Sequence, residues 1–123
     1  MPKTILVVDD SAMMRKIVIK NIKESGFNVN IVEASDGKEG YEKFAAGGID
    51  LVLSDWNMPN MDGLSMVKEI RKKDPEKKVP VIMITTEGSA DKVKDAVLAG
   101  VQNYLAKPFT PERFKEKLSP YLL

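Results

Sequence analysis

The chain has 123 residues, with no cysteine, no histidine, and 19 Lys+Arg against 18 Asp+Glu. That length fits one domain, residues 1–123, and the composition excludes disulfides, thiolate zinc sites, cysteine nucleophiles and Ser-His-Asp catalysis, leaving oxygen ligands for any metal. The near-neutral charge argues against bulk affinity for nucleic acid or anionic membrane, and no apolar run approaches a membrane span or a secretory signal, so a soluble cytoplasmic protein is expected.

Thr4–Val8 is the first of five short apolar runs that read as buried parallel strands. Ser11 then caps a helix in which Met14, Ile17, Val18 and Ile22 follow the i, i+3, i+4, i+8 rule, and Gly26 stops it. The second strand is expected at Asn28–Val32. A second helix opens at Asp36, with Glu39 three residues on, and ends at Gly47-Gly48. Leu51–Ser54 reads as the third strand. The third helix covers Leu64–Lys73, and Asp74-Pro75 ends it. The fourth strand is expected at Val79–Ile84, with Pro80 near its start. The fourth helix spans Ala90–Ala99, with Val93, Ala96 and Val97 on one face. Asn103–Ala106 is the fifth strand. Thr110-Pro111 opens the fifth helix, where Phe114, Leu118 and Leu122 recur every four residues. The basic stretch Lys68–Lys78 reads as a solvated helix face, and Met13, Met14 and Met66 as core or gap-filling residues.

Strands alternating with helices imply an α/β fold, a doubly wound parallel sheet with helices on both faces. Ligands of such sheets bind at the carboxyl ends of the strands. Asp9 and Asp10 follow the first strand, Asp55 the third, Thr85 the fourth and Lys107 the fifth. Each has an ordinary reading by itself: a helix cap, a turn residue, a strand end, a surface lysine. Together they read differently. If the first and third strands are neighbours, three carboxylates converge, and a divalent cation is the cheapest remedy for their repulsion. Few oxygen ligands with room for waters suit Mg²⁺. A metal beside a carboxylate, a lysine and a hydroxyl can stabilise a transferring phosphoryl group, with a carboxylate as nucleophile.

The motifs Ile5–Ser11, Asp55–Leu64 (DWNMPNMDGL), Pro80–Thr85 and Lys107-Pro108-Phe109 make the chain resemble the receiver domains of two-component response regulators, chemotaxis regulators of the CheY type among them. The resemblance covers essentially the whole chain. It implies the flavodoxin-like (CheY-like) five-stranded sheet with strand order 2-1-3-4-5. It implies Asp55 as phospho-acceptor, and Mg²⁺ bound by Asp9, Asp10, Asp55 and the backbone carbonyl of Asn57. Thr85 resembles the switch hydroxyl, Lys107 the lysine that pairs with a phosphoryl oxygen, and Tyr104 the aromatic residue that swings inward. Asn57 and Glu87 match positions that tune phosphate lifetime. Thr86 stands where Ala or Gly is usual and narrows access to the phosphoryl site. The Lys107-Pro108 bond is typically cis in this family.

The resemblance further implies a signalling domain rather than an enzyme, one that phosphorylates and dephosphorylates itself. A CheA-like histidine kinase would be the phosphodonor, a protein such as a flagellar motor switch component the target, and a phosphatase a further partner. The target would meet a surface built from the fourth helix, fifth strand and fifth helix of a monomer. With no output domain fitting after Leu123, output falls to protein contact, with no nucleic acid or membrane involved. A stand-alone receiver can also serve as a phosphorelay intermediate or a phosphate sink. Haloacid-dehalogenase-type phosphatases share an Asp nucleophile and Mg²⁺, but they carry a general-acid Asp where this chain has Asn57, which cannot transfer a proton. A nucleotide- or flavin-binding module would want a glycine- or hydroxyl-rich loop after the first strand; Asp9-Asp10-Ser11-Ala12-Met13 lacks glycine and carries two acids.

Overall fold

The computed structural model describes residues 2–85, 90–107 and 109–122. The elements alternate as the sequence predicts: β1 (Lys3–Val8), α1 (Ala12–Glu24), β2 (Val29–Ala34), α2 (Gly37–Ala45), β3 (Leu51–Asp55), α3 (Gly63–Lys73), β4 (Val81–Thr85), α4 (Ala90–Ala99), β5 (Asn103–Ala106) and α5 (Pro111–Leu122). The strands are parallel and lie in the order β2-β1-β3-β4-β5. Among the described residues, no helix is long and apolar enough to cross a membrane.

Alternation along each strand builds two cores. Leu6 and Val8 of β1 face Phe44 of α2 and Met66, Val67 and Ile70 of α3, with Ala96 of α4 in the same layer. Ile5 and Val7 face the opposite layer, with Val18 and Ile22 of α1 and Phe114 and Leu118 of α5. Each such side chain, fully removed from water, contributes about 1.5–3 kcal/mol. Phe109 meets Phe114 edge-to-face, with ring centroids 4.8 Å apart.

Several expectations need correction. The strands are not uniformly buried. The edge strand β2 buries only Ala34 and β5 only Leu105, because an edge strand lacks a neighbour on one side. β2 also starts one residue later than expected and runs two further, to Ala34. β4 starts at Val81; Pro80 has no N–H for a ladder, although its carbonyl accepts from Val52. Thr85 and Asp55 are the last residues of their strands rather than the first after them. Helical spacing overstates two faces: Ile17 and Val97 are exposed, at 39% and 58%. Met13 is exposed too, whereas Met66 is fully buried as expected. The Lys68–Lys78 stretch is not wholly solvated, since Arg71 is buried within it.

Candidate functional site

The site begins where β1 and β3 run side by side, with Val8 opposite Ser54. The next residues, Asp9 just past β1 and Asp55 at the end of β3, therefore lie side by side. The cap of α1 is supplied by Ser11, whose hydroxyl oxygen accepts from the Met14 N–H at 3.2 Å. Neither Asp9 nor Asp10 serves as that cap. Asp9 accepts from the Ser11 N–H at 2.9 Å, and its backbone carbonyl accepts from Arg15 at 2.7 Å. Arg15 in turn bonds Glu33 of β2 at 2.9 Å. The strand end is thus held from two neighbouring elements.

Asp9, Asp10 and Asp55 each offer a carboxylate oxygen, and these oxygens lie within 4.8 Å of one another. Asp9 is buried, Asp55 half-buried and Asp10 exposed. Burial pushes the Asp9 carboxyl above its ordinary value; the Ser11 N–H pulls it down, Asp55 raises it, Lys107 lowers it and Asp10 raises it again. A buried acid beside two others, reachable from solvent through Asp10, has the donor set of a hard-cation site. The residues present therefore fit Mg²⁺.

Of the remaining predicted residues, Lys107 borders this cluster. The Lys107 ammonium stands 3.6 Å from Asp55 Oδ1, which also accepts from the Trp56 N–H at 2.8 Å. Lys107 is placed by β5: its N–H donates to the Thr85 carbonyl at 2.9 Å. Thr85 is buried at the end of β4. Asn57 is exposed, two residues past Asp55. Thr86, Glu87 and the geometry of the Lys107-Pro108 bond lie outside the described residues. Tyr104 is 39% exposed, with the Lys117 ammonium 5.5 Å from its ring centroid. Between Tyr104, Thr85, Trp56, Ala96 and Val101 lies a cavity of about 130 Å³.

The residue pattern did not single out two arginines, one beside this site and one at the opposite, amino-terminal edge of the sheet. Arg15 steadies Asp9 from α1. Arg71 reaches from α3 to the Gly100 carbonyl (3.0 and 2.8 Å), the Val79 carbonyl (2.8 Å), Gln102 Oε1 (2.7 Å) and Asp74 (3.1 Å). Burial lowers its pKa, and Asp74 works against that. The available signal was its place one residue after Ile70 on the buried side of α3.

The response regulator receiver domain model matches residues 5–119. The chain is 47% identical over 119 residues to chemotaxis protein CheY1 of Helicobacter pylori, covering 96% of this chain and 95% of that protein. It is 44% identical over 114 residues to CheY-3 of Vibrio cholerae, covering 93% and 87%. Among solved structures, CheY4 of Vibrio cholerae superposes with a TM-score of 0.89 at 34% identity, covering 99% of this chain and all of that one. The CheX-CheY-BeF₃-Mg complex of Borrelia burgdorferi gives 0.87 at 31%, covering 100% and 92%. By sequence and by fold alike, the chain belongs to the response regulator receiver domain family.

Proposed function

We propose that this receiver is a phosphorylation-operated switch in a two-component pathway, of the chemotaxis kind. The observation that carries the reading is the meeting of Asp9, Asp10 and Asp55 at one strand edge with Lys107 3.6 Å from Asp55. An oxygen of Asp55 attacks the phosphorus of a partner's phosphohistidine; the P–N bond breaks, and its electron pair leaves with the imidazole. The product is an acyl phosphate on Asp55, which water later hydrolyses. Asp9, Asp10 and Asp55, with the Asn57 carbonyl, would hold Mg²⁺, which supplies positive charge to the transferring phosphoryl group. Lys107 supplies a second positive charge, and the Thr85 hydroxyl donates to the new group. Asn57, Thr86 and Glu87 tune how long that group lasts.

The added phosphoryl brings up to about two negative charges to one strand end. Thr85 and Lys107 engage it by moving in, and Tyr104 takes up the space behind Thr85. The cavity beside Thr85 supports this motion, because Tyr104, 39% exposed, lines it. The α4-β5-α5 face then changes shape for its target, a two-state surface biased by a local charge. The donor is a CheA-like histidine kinase, the target a protein such as a flagellar motor switch component, and the setting the cytoplasm. The Borrelia relative, captured with CheX, BeF₃ and Mg, supports both the metal and protein-partner parts of the reading.

Intact-mass analysis with Mg²⁺ and acetyl phosphate tests it. A single labile phosphoryl adduct is expected on the wild type and none on Asp55→Asn. An adduct that persists in Asp55→Asn overturns the assignment.

A further inference from the structure

The loop between β3 and α3 is closed at its base, where the Gly63 N–H donates to the Trp56 carbonyl at 2.9 Å. Its far side is tied to a different element, the start of α2. Asn60 Nδ2 donates to Asp36 Oδ2 at 2.8 Å. The Gly37 N–H donates to the Met61 carbonyl at 3.0 Å. The approach is so close that a Cβ at Gly37 would fall 2.3 Å from that carbonyl oxygen. Asp36 uses its other oxygen, Oδ1, to accept the Glu39 N–H at 2.8 Å and cap α2. Asn60 holds φ at 66°, a left-handed conformation that asparagine tolerates better than most side chains.

We infer that Asp36 and Asn60 are positioning residues for the Asn57 end of the cation site, acting through the β3–α3 loop; this rests on the proposed role of the Asn57 carbonyl. A backbone ligand has no rotamers with which to adjust. Its position is the position of its loop, and the loop from Trp56 to Asp62 is held on α2 by the Asp36–Asn60 and Gly37–Met61 bonds. Freeing it costs cation affinity without touching a ligand, as the loss of groups that orient metal ligands does elsewhere.

The test is a Mg²⁺ titration followed by Trp56 fluorescence at physiological salt, on Asp36→Asn, Asn60→Asp, their combination, and Asn60→Gly. Asn60→Asp breaks the 36–60 bond by opposing two carboxylates, whereas Asp36→Asn leaves two amides that pair again once the Asn60 amide turns its oxygen toward residue 36. The combination restores it with the polarity reversed and keeps an Asx cap on α2. Asn60→Asp should weaken Mg²⁺ binding about tenfold, whereas Asp36→Asn and the combination should each stay within about twofold of wild type. Asn60→Gly keeps the positive φ and removes the tether, so it should bind Mg²⁺ more weakly with no fall in melting temperature. A purely structural role would move affinity and melting temperature together. Equal affinity in all variants, or a combination no better than its weaker member, overturns the inference alone. A wild type that binds no Mg²⁺ overturns the proposed cation site.

Discussion

The two halves of the sheet's carboxyl edge are built differently. At β1 and β3 each strand end is bonded to a neighbouring element: Arg15 grips Asp9, and Trp56 bonds both Asp55 and Gly63. At β4 and β5 the same edge borders a cavity, a half-exposed tyrosine and an outward face carrying Val97 and Leu98. One half fixes charges that repel, and such charges need a stiff frame. The other leaves apolar volume unfilled, which gives a packed core a second arrangement at small cost. The stiff half and the hollow half meet at a single strand interface, β3 against β4.

The largest effect is expected at Arg71, which holds the end of α4 to β4 and β5. Arg71→Ala strips partners from the Gly100 and Val79 carbonyls and takes from Asp74 its ion-pair partner, leaving it the Lys78 and Val79 N–H groups. It should lower stability in urea denaturation by about 3 kcal/mol. A loss under about 1 kcal/mol would mean that this side has no fixed frame of its own.

Asp9→Asn works in the opposite direction. The Asp9 pKa is raised by folding, so the native state keeps its proton to higher pH than the unfolded chain does. Ionising it costs stability, a cost absent below about pH 3.8 and complete above the raised native value. Asp9→Asn should therefore be more stable than wild type at pH 7 without divalent cations, by about 1 kcal/mol. The advantage should shrink as the solution is acidified, and Mg²⁺ should no longer stabilise the variant. Thermal melts across pH, with and without Mg²⁺, read all three.

Asp36→Ala removes the cap of α2, for about 1 kcal/mol. Hydrogen bonding from the Glu39 N–H holds the Asp36 pKa below its ordinary value. Its contribution is therefore present above about pH 3.8 and fades as pH falls through the native value. Smallest of all, Val97→Lys on the outer face of α4 should shift stability by no more than about 0.5 kcal/mol. A larger loss would show that this face is packed rather than available.

The fold was legible because its signals are local and repeated: apolar runs for strands, helical spacing between them, and caps at Ser11, Asp36 and Asp62. The convergence of Asp9, Asp10, Asp55 and Lys107 was legible because strand ends are where parallel sheets gather side chains. What escaped were interactions across distant chain segments. Arg71 reads as one more cation in a basic helix until Gly100 and Gln102, about thirty residues on, come beneath it. The exposure of Val97 depends on which neighbours α4 lacks, and spacing along one helix carries no such information. The Asp36–Asn60 bond joins two turns, each of which reads as an ordinary turn by itself.

The strand order has a consequence for how the chain is made. β1 lies between β2 and β3, so it is paired on one side by residues Val29–Ala34 and on the other only by Leu51–Ser54. During synthesis β1, α1 and β2 can associate as soon as they emerge. The second edge of β1, with its row of unbonded amides and carbonyls, then stays open until β3 has left the ribosome. In that interval the nascent chain carries an apolar edge, Ile5 to Val8, that any extended peptide can occupy.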